Sequence, residues 1–471
     1  MSLVNPDTIR IATTLLLLVP VGFSSANQAK ATLQPAVESR QPDADDLYLA
    51  IENFVNSAGE QPIAEFIDTW VDKAFVQKAG RIALTEQLQQ VRKACGNPGG
   101  IMIEPGPSDR EVLMIFESST GRWQLALQFN GEPARRIAGF SLSEGHKPDP
   151  IAPFTWDSVA QRLKHYETEG FAGSVMLVRG GEVLLNEGYG FANESLGARN
   201  SKDTLFAVGS TPIDFTHVAI LFLEECGRLS TGDLLSKYVD GVPPDKSTIT
   251  LAHLMSGRSG LRNFHGIRGL DENLDLSYID REEALRRILG SPLLFAPGFG
   301  NEHSHSAWGV LAAVVEIVSE QTYEEFIEEN LFEPAGMTST GMYPHSTGFD
   351  DKLIAVGAGE PALGKPNSPK NWGPTSWLVM GSGGMVSTTQ DFYRWLQALR
   401  ADKILSPEQQ KKYFKGQILS GGNDRGFMTL FTEGPDDLVI LCSNSSVGMD
   451  DLSWEIAYAL ADLVRGVPSQ R

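Results

Sequence analysis

The chain has 471 residues, which is long enough for two or three domains. Hydrophobic residues make up 41% and charged residues 21%, and this balance excludes a disordered, collagen-like or coiled-coil chain. The 59 acidic residues exceed the 39 basic ones, so the formal net charge is −20. A surface this acidic repels the phosphates of nucleic acids and anionic lipid headgroups, and we expect no nucleic acid as a partner.

The amino-terminal residues have the pattern of an export signal. Arg10 precedes an apolar run over residues 11–23, and small residues follow at 24–26. This order is typical of a cleaved signal peptide over residues 1–26, because the apolar run is too short to span a bilayer by itself. An uncleaved anchor is the alternative. We predict an exported protein, periplasmic or secreted, with no membrane span in the mature chain.

A first domain is predicted over residues 43–145, after a polar linker at 27–42. Apolar residues at helical spacing come first, and strand-like segments follow at 111–117, 121–129 and 136–142. Helices followed by a curled antiparallel sheet are similar to the nuclear-transport-factor-like and cystatin-like modules. Such a small α+β module more often shields, positions or dimerises its neighbour than catalyses. The helical positions are Leu47, Ile51, Phe54, Ile63, Phe66, Trp70, Ile82, Leu84 and Leu88.

A second domain is predicted over residues 155–466, after a proline-marked hinge at 146–150. Strand patterns occur near both of its ends, and mostly helical sequence lies between them. Two ends rich in strands predict one antiparallel sheet that both ends of the domain build together. The predicted strands are 173–179, 182–188, 427–431 and 437–442, and the predicted closing helix is 451–464.

The three cysteines are too few and too scattered to form a disulfide framework or a zinc site. Cys226 and Cys442 lie in apolar runs, and we predict that both are small core residues.

Four segments of the second domain occur in a recognisable order. They are Asp203-Thr204-Leu205-Phe206-Ala207-Val208-Gly209-Ser210, the stretch 248–255 leading into Ser259-Gly260-Leu261, Phe332-Glu333-Pro334-Ala335-Gly336-Met337, and Gly383-Gly384-Met385-Val386-Ser387-Thr388. Together they resemble the serine β-lactamase and penicillin-binding-protein superfamily. The likeness is strongest to its class C-like branch of esterases, D-aminopeptidases and D,D-carboxypeptidases. It implies an α+β fold, with an antiparallel sheet flanked by helices plus an all-helical region.

The first catalytic motif of that superfamily is Ser-x-x-Lys at the start of a helix. The spacing places the lysine one turn beyond the serine, where it can take the proton of the nucleophile. The matching stretch here runs from Ser210 to Ile213, and no serine in the chain has a lysine three residues later. Ser210 is therefore the candidate nucleophile, and Ile213 stands at the lysine position.

The second motif is Tyr-x-Asn, and its place is marked by Pro297-Gly298 before it and Trp308-Gly309 after it. The resemblance implies a tyrosine that shares the proton of the serine and an asparagine that holds the substrate amide. The chain has His303-Ser304-His305 there, so histidine replaces both side chains.

The third motif is a strand with Lys-Thr-Gly, whose cation faces the substrate carboxylate. The matching residues are Leu419-Ser420-Gly421, followed by Gly422, and no cation is present unless another register brings Arg425 there. The backbone N–H of Gly422 could still form an oxyanion hole with that of Ser210. Ser210, Ser420, Gly421 and Gly422 are thus the candidate cleft.

Three altered motifs favour a β-lactamase-related pseudoenzyme. It would bind a small peptide, an ester, a cell-wall fragment or a partner protein in the candidate cleft. Ser210 would then be only a helix cap. The alternative is an active serine esterase or D-aminopeptidase-like hydrolase with a Ser210–His303 dyad, since an unperturbed histidine pKa near 6.5 suits a general base.

Two further hypotheses remain. His303 and His305 with Glu302 could bind a metal, but zinc sites need three or four protein ligands and no second cluster is visible. We therefore predict no metal and no cofactor. In the last hypothesis the role is structural, and the first domain makes the contacts. The oligomeric state is left open.

Overall fold

The described residues of this computed structural model form two compact units, one between residues 51 and 144 and one between 151 and 466. The described residues are 51, 54–55, 61–95, 100–105, 110–118, 121–130, 136–144, 151–263, 278–343, 349–350, 352–359, 366–415, 421–433, 437–446 and 451–466. The predicted export signal, linker and hinge lie outside them. The domain boundaries at 43–145 and 155–466 stay predictions.

Three helices and a four-stranded sheet have described bounds in the first unit. They are α1 (Gln61–Trp70), α2 (Lys73–Ala79), α3 (Arg81–Cys95), β1 (Gly100–Pro105), β2 (Glu111–Ser118), β3 (Gly121–Phe129) and β4 (Ile137–Glu144). The antiparallel order is β1-β2-β3-β4, and the last three strands overlap the predicted ones. Leu84 and Leu88 are buried as expected, but Ile82 is exposed because it lies off the face of α3 that these two leucines share.

The second unit is built on a five-stranded antiparallel sheet. Its strands are β5 (Gly173–Arg179), β6 (Glu182–Tyr189), β12 (Gly421–Asp424), β13 (Phe427–Glu433) and β14 (Asp437–Ser443), and shorter strands are β7 (Phe191–Asn193), β8 (Ala198–Arg199), β9 (Phe206–Ala207), β10 (Gly341–Met342) and β11 (Met385–Ser387). The order is β12-β13-β14-β5-β6, with Asp437 opposite Arg179 and Ser443 opposite Gly173. The prediction of one antiparallel sheet made by both ends of this region is therefore confirmed.

Helices cover the sheet and form a helical region beside it. They are α4 (Val159–Thr168), α5 (Pro212–Glu225), α6 (Leu251–Met255), α7 (Arg281–Gly290), α8 (His305–Ser319), α9 (Tyr323–Ile327), α10 (Glu333–Ala335), α11 (Thr389–Arg400), α12 (Pro407–Lys415) and α13 (Leu452–Arg465), and single-turn segments lie at Glu194–Leu196, Leu235–Lys237, Pro244–Lys246, Glu328–Phe332 and Pro369–Asn371. In α5, 10 of 14 residues are buried, and in α8, 12 of 15 are. Helices that are apolar on every side lie in the core, so these two helices form the centre of the helical region.

The cysteine prediction is half correct. Cys442 is buried in β14, whereas Cys226 is exposed. Cys226 follows the last residue of α5, where the chain turns at Gly227, and so it lies beyond the part of the helix that the core covers. None of the described helices is long and apolar enough to cross a bilayer.

Candidate active site

A tight turn presents Ser210 at the start of the central helix α5. Strand β9 pairs with β11, and Val208 N then donates to Met385 O at 3.2 Å. The backbone N and the hydroxyl of Thr211 both donate to Val208 O, at 3.2 and 2.8 Å. Gly209 has a φ of 54°, which favours glycine. Ser210 thus lies in a turn between a paired strand and the first helical residue.

Ser210 is not the cap of this helix. Thr211 occupies the N-cap position, and Pro212 occupies the first helical position. Proline lacks a backbone N–H, but no hydrogen bond is lost there because the first N–H groups of a helix have no partner within the helix. Ser210 is half-buried, and its Oγ makes no hydrogen bond within the part of the chain that the structure describes. The side chain is therefore not committed to a structural role among these residues.

Ile213 occupies the place that the superfamily gives to lysine. Its backbone N donates to Ser210 O at 3.1 Å, which keeps the two residues one short turn apart. The side chain is only 4% exposed and belongs to the main apolar core of the second unit. An alkyl group there can neither accept the proton of Ser210 nor carry a charge.

The backbone of strand β12 contacts the backbone of the turn at residues 208–211, which we call the serine turn. A Cβ placed on Gly422 would be 2.4 Å from Ser210 N, and a Cβ placed on Gly209 would be 2.4 Å from Asn423 N. No side chain fits in either position, so both glycines are required for this approach. Gly421, the first residue of β12, is half-buried, and Leu419 and Ser420 lie outside the described residues.

Arg425 does not lie along the cleft strand. Gly422 is opposite Thr429 in the β12–β13 pair, and this register places Arg425 in the two-residue turn that joins these strands. Its guanidinium donates to Asp424 at 2.7 Å and lies 4.7 Å from the ring centroid of Trp372. Burial raises the pKa of the Asp424 carboxyl to about 7 and lowers the pKa of Arg425 to about 10.

Sequence reasoning missed this half-buried ion pair. The signal was the Arg425-Gly426 pair between two strand patterns, since a glycine in a two-residue turn marks a hairpin.

His303 and His305 flank the residue that caps α8. Ser304 accepts a hydrogen bond from Ala307 N at 3.3 Å, so His303 precedes the cap and His305 begins the helix. The centroids of the two histidine rings are 5.0 Å apart, with ring planes at 90°. Burial lowers the pKa of His303, so its imidazole is neutral at pH 7 and can accept a proton.

No hydrogen bond joins His303 to Ser210 among the described residues. The same residues hold no group of three side chains that could bind a metal.

Helices α5 and α8 contact each other near their first turns. The ring centroid of His217 in α5 is 6.0 Å from that of Trp308 in α8 and 5.5 Å from that of Tyr413. Burial lowers the pKa of His217 to about 4. His217 packs between Trp308 and Tyr413, and His253 takes part in the cap of α6 with Thr250.

Comparison with known proteins agrees with this fold. Residues 157–436 match the family model for β-lactamase. The Bacillus subtilis protein PbpX, whose name classes it with the penicillin-binding proteins, is 32% identical over 302 residues, which are 60% of this chain and 73% of PbpX. Penicillin-binding protein 4* of the same organism is 26% identical over 57% of this chain and 62% of its own length.

A solved penicillin-binding protein from Bacillus halodurans shares the fold, with a TM-score of 0.55 and 23% identity over 64% of this chain and 98% of that one. The second unit is thus a β-lactamase-like α+β structure. The chain belongs to the β-lactamase family of serine hydrolases, which includes penicillin-binding-protein-like members. The chain spans only 62% of the length of penicillin-binding protein 4*.

Proposed function

We propose that this protein is an exported, catalytically impaired member of the family that binds a small peptide, ester or cell-wall fragment beside Ser210. The observation that carries the proposal is Ile213, which fills the lysine position with a buried alkyl group. A serine hydroxyl needs an adjacent base to become a nucleophile, and no described residue accepts a hydrogen bond from Ser210 Oγ. The names of PbpX and penicillin-binding protein 4* support a ligand related to the cell wall.

The cleft keeps groups that can bind a ligand without turnover. The backbone N–H groups of Ser210 and Gly422 belong to segments in direct contact, and two such donors can hold a carbonyl oxygen. Two of the altered positions, 213 and 303, are those whose side chains would move protons, whereas the asparagine replaced at 305 would hold the substrate amide. Without a cation at Leu419, the ligand does not need a free carboxylate at that end. Gly421, beside Gly422 in β12, would belong to the same side of the cleft.

The proposal also covers residues 1–26 and the first domain. Residues 1–26 direct export and are removed, so the protein acts in the periplasm or outside the cell. The first domain, at 43–145, is proposed to be a nuclear-transport-factor-like or cystatin-like module.

Intact mass spectrometry of the protein purified from the exported fraction tests the proposal. The wild type and Ser210→Ala are each incubated with a fluorophosphonate and with benzylpenicillin. We expect neither probe to add mass to the wild type, because Ser210 lacks a base. The unreacted mass also reports whether residues 1–26 were removed. A single adduct on the wild type that is absent from Ser210→Ala, with both proteins folded by near-ultraviolet circular dichroism, would contradict the proposed impairment.

One observation favours a second candidate, an active hydrolase with a Ser210–His303 dyad. Burial keeps the imidazole of His303 neutral at pH 7, which is the form a general base requires. In that case both Ser210→Ala and His303→Ala abolish hydrolysis of p-nitrophenyl acetate, while Ser304→Ala does not lower it below half. Unchanged hydrolysis in either of the first two variants removes this candidate.

A further inference from the structure

Arg425 has a backbone conformation that arginine seldom adopts. Arg425 and Gly426 form the two-residue turn between β12 and β13, and their φ angles of 40° and 89° are both positive, as a type I′ turn requires. Asparagine, aspartate and glycine are the residues that favour the first position of such a turn. Among the described residues, the other two with a positive φ that are not glycine, Glu320 and Asp402, lie at helix ends, so Arg425 alone of the three lies between strands.

The side chain of Arg425 packs against the protein and not into solvent. It is 15% exposed, and its guanidinium donates to Asp424 at 2.7 Å and lies 4.7 Å from the ring centroid of Trp372. A guanidinium over an indole ring makes a favourable cation–π contact. Trp372 is itself packed, since it is 4% exposed and its ring meets those of Tyr343 and Phe427 edge-on. Such contacts offset the cost of the left-handed backbone conformation.

The backbone of this turn also packs against a neighbouring segment. A Cβ placed on Gly357 would lie 2.6 Å from Arg425 O, and a Cβ placed on Gly426 would lie 2.1 Å from Ala358 O. The neighbouring segment is bonded in its turn to the chain just after β14, because Ala358 N donates to Asn444 O at 2.9 Å. The turn therefore contacts a bonded segment with its backbone and a packed indole ring with its side chain.

The strand that precedes this turn reaches the candidate cleft. Gly422 lies in β12, three residues before Arg425, and its backbone contacts that of Ser210 in the serine turn. Among the described strands, β12 lies at an edge of the sheet and pairs with β13 alone. An edge strand is held by one ladder of hydrogen bonds, so an anchored turn at its end adds to what keeps it in place. The anchor at Arg425 acts on Gly422 through three residues of the same strand.

We infer that Arg425 is a positioning residue for the candidate cleft, and that its contact with Trp372 holds β12 against the serine turn. The inference rests on the proposed function, in which β12 and the serine turn bind the ligand together. Arg425 acts through the backbone of β12 and not by contact with the ligand. Its role is to keep the backbone of Gly422 beside that of Ser210.

Hydrogen–deuterium exchange of the whole protein, followed by mass spectrometry, tests the inference with the variant Arg425→Asn. This substitution removes the guanidinium but gives the turn an Asn-Gly sequence, which a type I′ turn favours. If the preference of the turn alone held β12, exchange in β12 would become slower. We expect instead that the amides of residues 421–424 exchange about three- to tenfold faster than in the wild type, because the contact with Trp372 is lost.

The amides of β14 are the internal reference, because β14 lies inside the sheet and exchanges when much of the unit opens. A merely structural role of Arg425 would speed exchange in β12 and β14 alike. Arg199→Asn is the matched control, since the guanidinium of Arg199 lies 4.8 Å from the ring centroid of Phe191 and pairs with Glu167. It should leave exchange in β12 unchanged.

Faster exchange confined to β12 in Arg425→Asn supports the inference. Unchanged or slower exchange in β12, or an equal rise in β12 and β14, overturns the inference and leaves the proposed function standing. The same rise in β12 in Arg199→Asn also overturns it, because the effect would then not depend on Trp372. The mass adduct on Ser210 tests the proposed function independently of these exchange rates.

Discussion

Ile213 stands at the position where the resemblance implies a lysine. A buried lysine is stable only when paired or hydrogen-bonded, because the loss of its hydration must be offset. Ile213 is 4% exposed and needs no such partner. Ile213 therefore packs among the apolar side chains of the core.

His217 makes the stability of the helical region depend on pH. Burial lowers its pKa from 6.5 to about 4, so between these pH values the unfolded chain binds a proton that the native state does not. Stability is therefore lost as the pH falls from 6.5 towards 4. We expect His217→Phe to reduce the loss in unfolding free energy between pH 7 and pH 4.5 by about 2 kcal/mol.

Urea unfolding at the two pH values measures this difference. His165→Phe is the control for removal of an imidazole, because the side chain of His165 is 65% exposed. The same loss in His217→Phe as in the wild type would show that His217 is protonated equally in both states.

At the scale of elements, the cleft depends on the contact between β12 and the turn before α5. The contact involves backbone on both sides, so it cannot relax by the rotation of a side chain. We expect Gly422→Ala to destabilise the protein by about 1–3 kcal/mol, because its Cβ would lie 2.4 Å from Ser210 N and 3.1 Å from Val208 O. The midpoint of urea denaturation reports the change.

Gly232→Ala is the matched control for this substitution. A Cβ at Gly232 meets only Ser230 Oγ, at 3.7 Å, so the stability should change by less than about 0.5 kcal/mol. If Gly422→Ala were as mild as this control, β12 would not be in contact with the serine turn in solution.

At the scale of the whole molecule, the second unit is closed by segments from its two ends. Strand β5 near the start pairs with β14 near the end, and α13 covers β13 and β14. Leu460 in α13 is completely buried in the core that α4, β5 and α13 share. We expect Leu460→Ala to lower the unfolding free energy by about 2–4 kcal/mol, because the cavity cannot be filled by this packed sheet.

Arg465→Ala, at the exposed end of the same helix, serves as the control and should change the stability little. Differential scanning calorimetry of Leu460→Ala and Arg465→Ala measures the change in stability of each variant. A shift in Leu460→Ala no larger than that of the control would mean that α13 is not part of the cooperative core.

Local patterns in the amino-acid sequence determined much of this unit. The strands predicted at 173–179 and 437–442 agree with β5 and β14 to within one residue, because apolar runs between turn residues identify buried strands without knowledge of their partners. The sequence also predicted that both ends of the domain share one sheet. The identity of the residues at the motif positions, including Ser210 and Ile213, can be read from their spacing alone.

Only the tertiary structure decided which distant segments touch. The contact of Gly422 with Ser210 and the packing of the Arg425 guanidinium on the ring of Trp372 join residues far apart in the chain, and no periodicity encodes such pairs. The exposure of Cys226 likewise depends on where the core ends and not on the apolar run around it. Local preferences choose helix, strand or turn, whereas the burial of a particular side chain depends on the neighbours that folding brings to it.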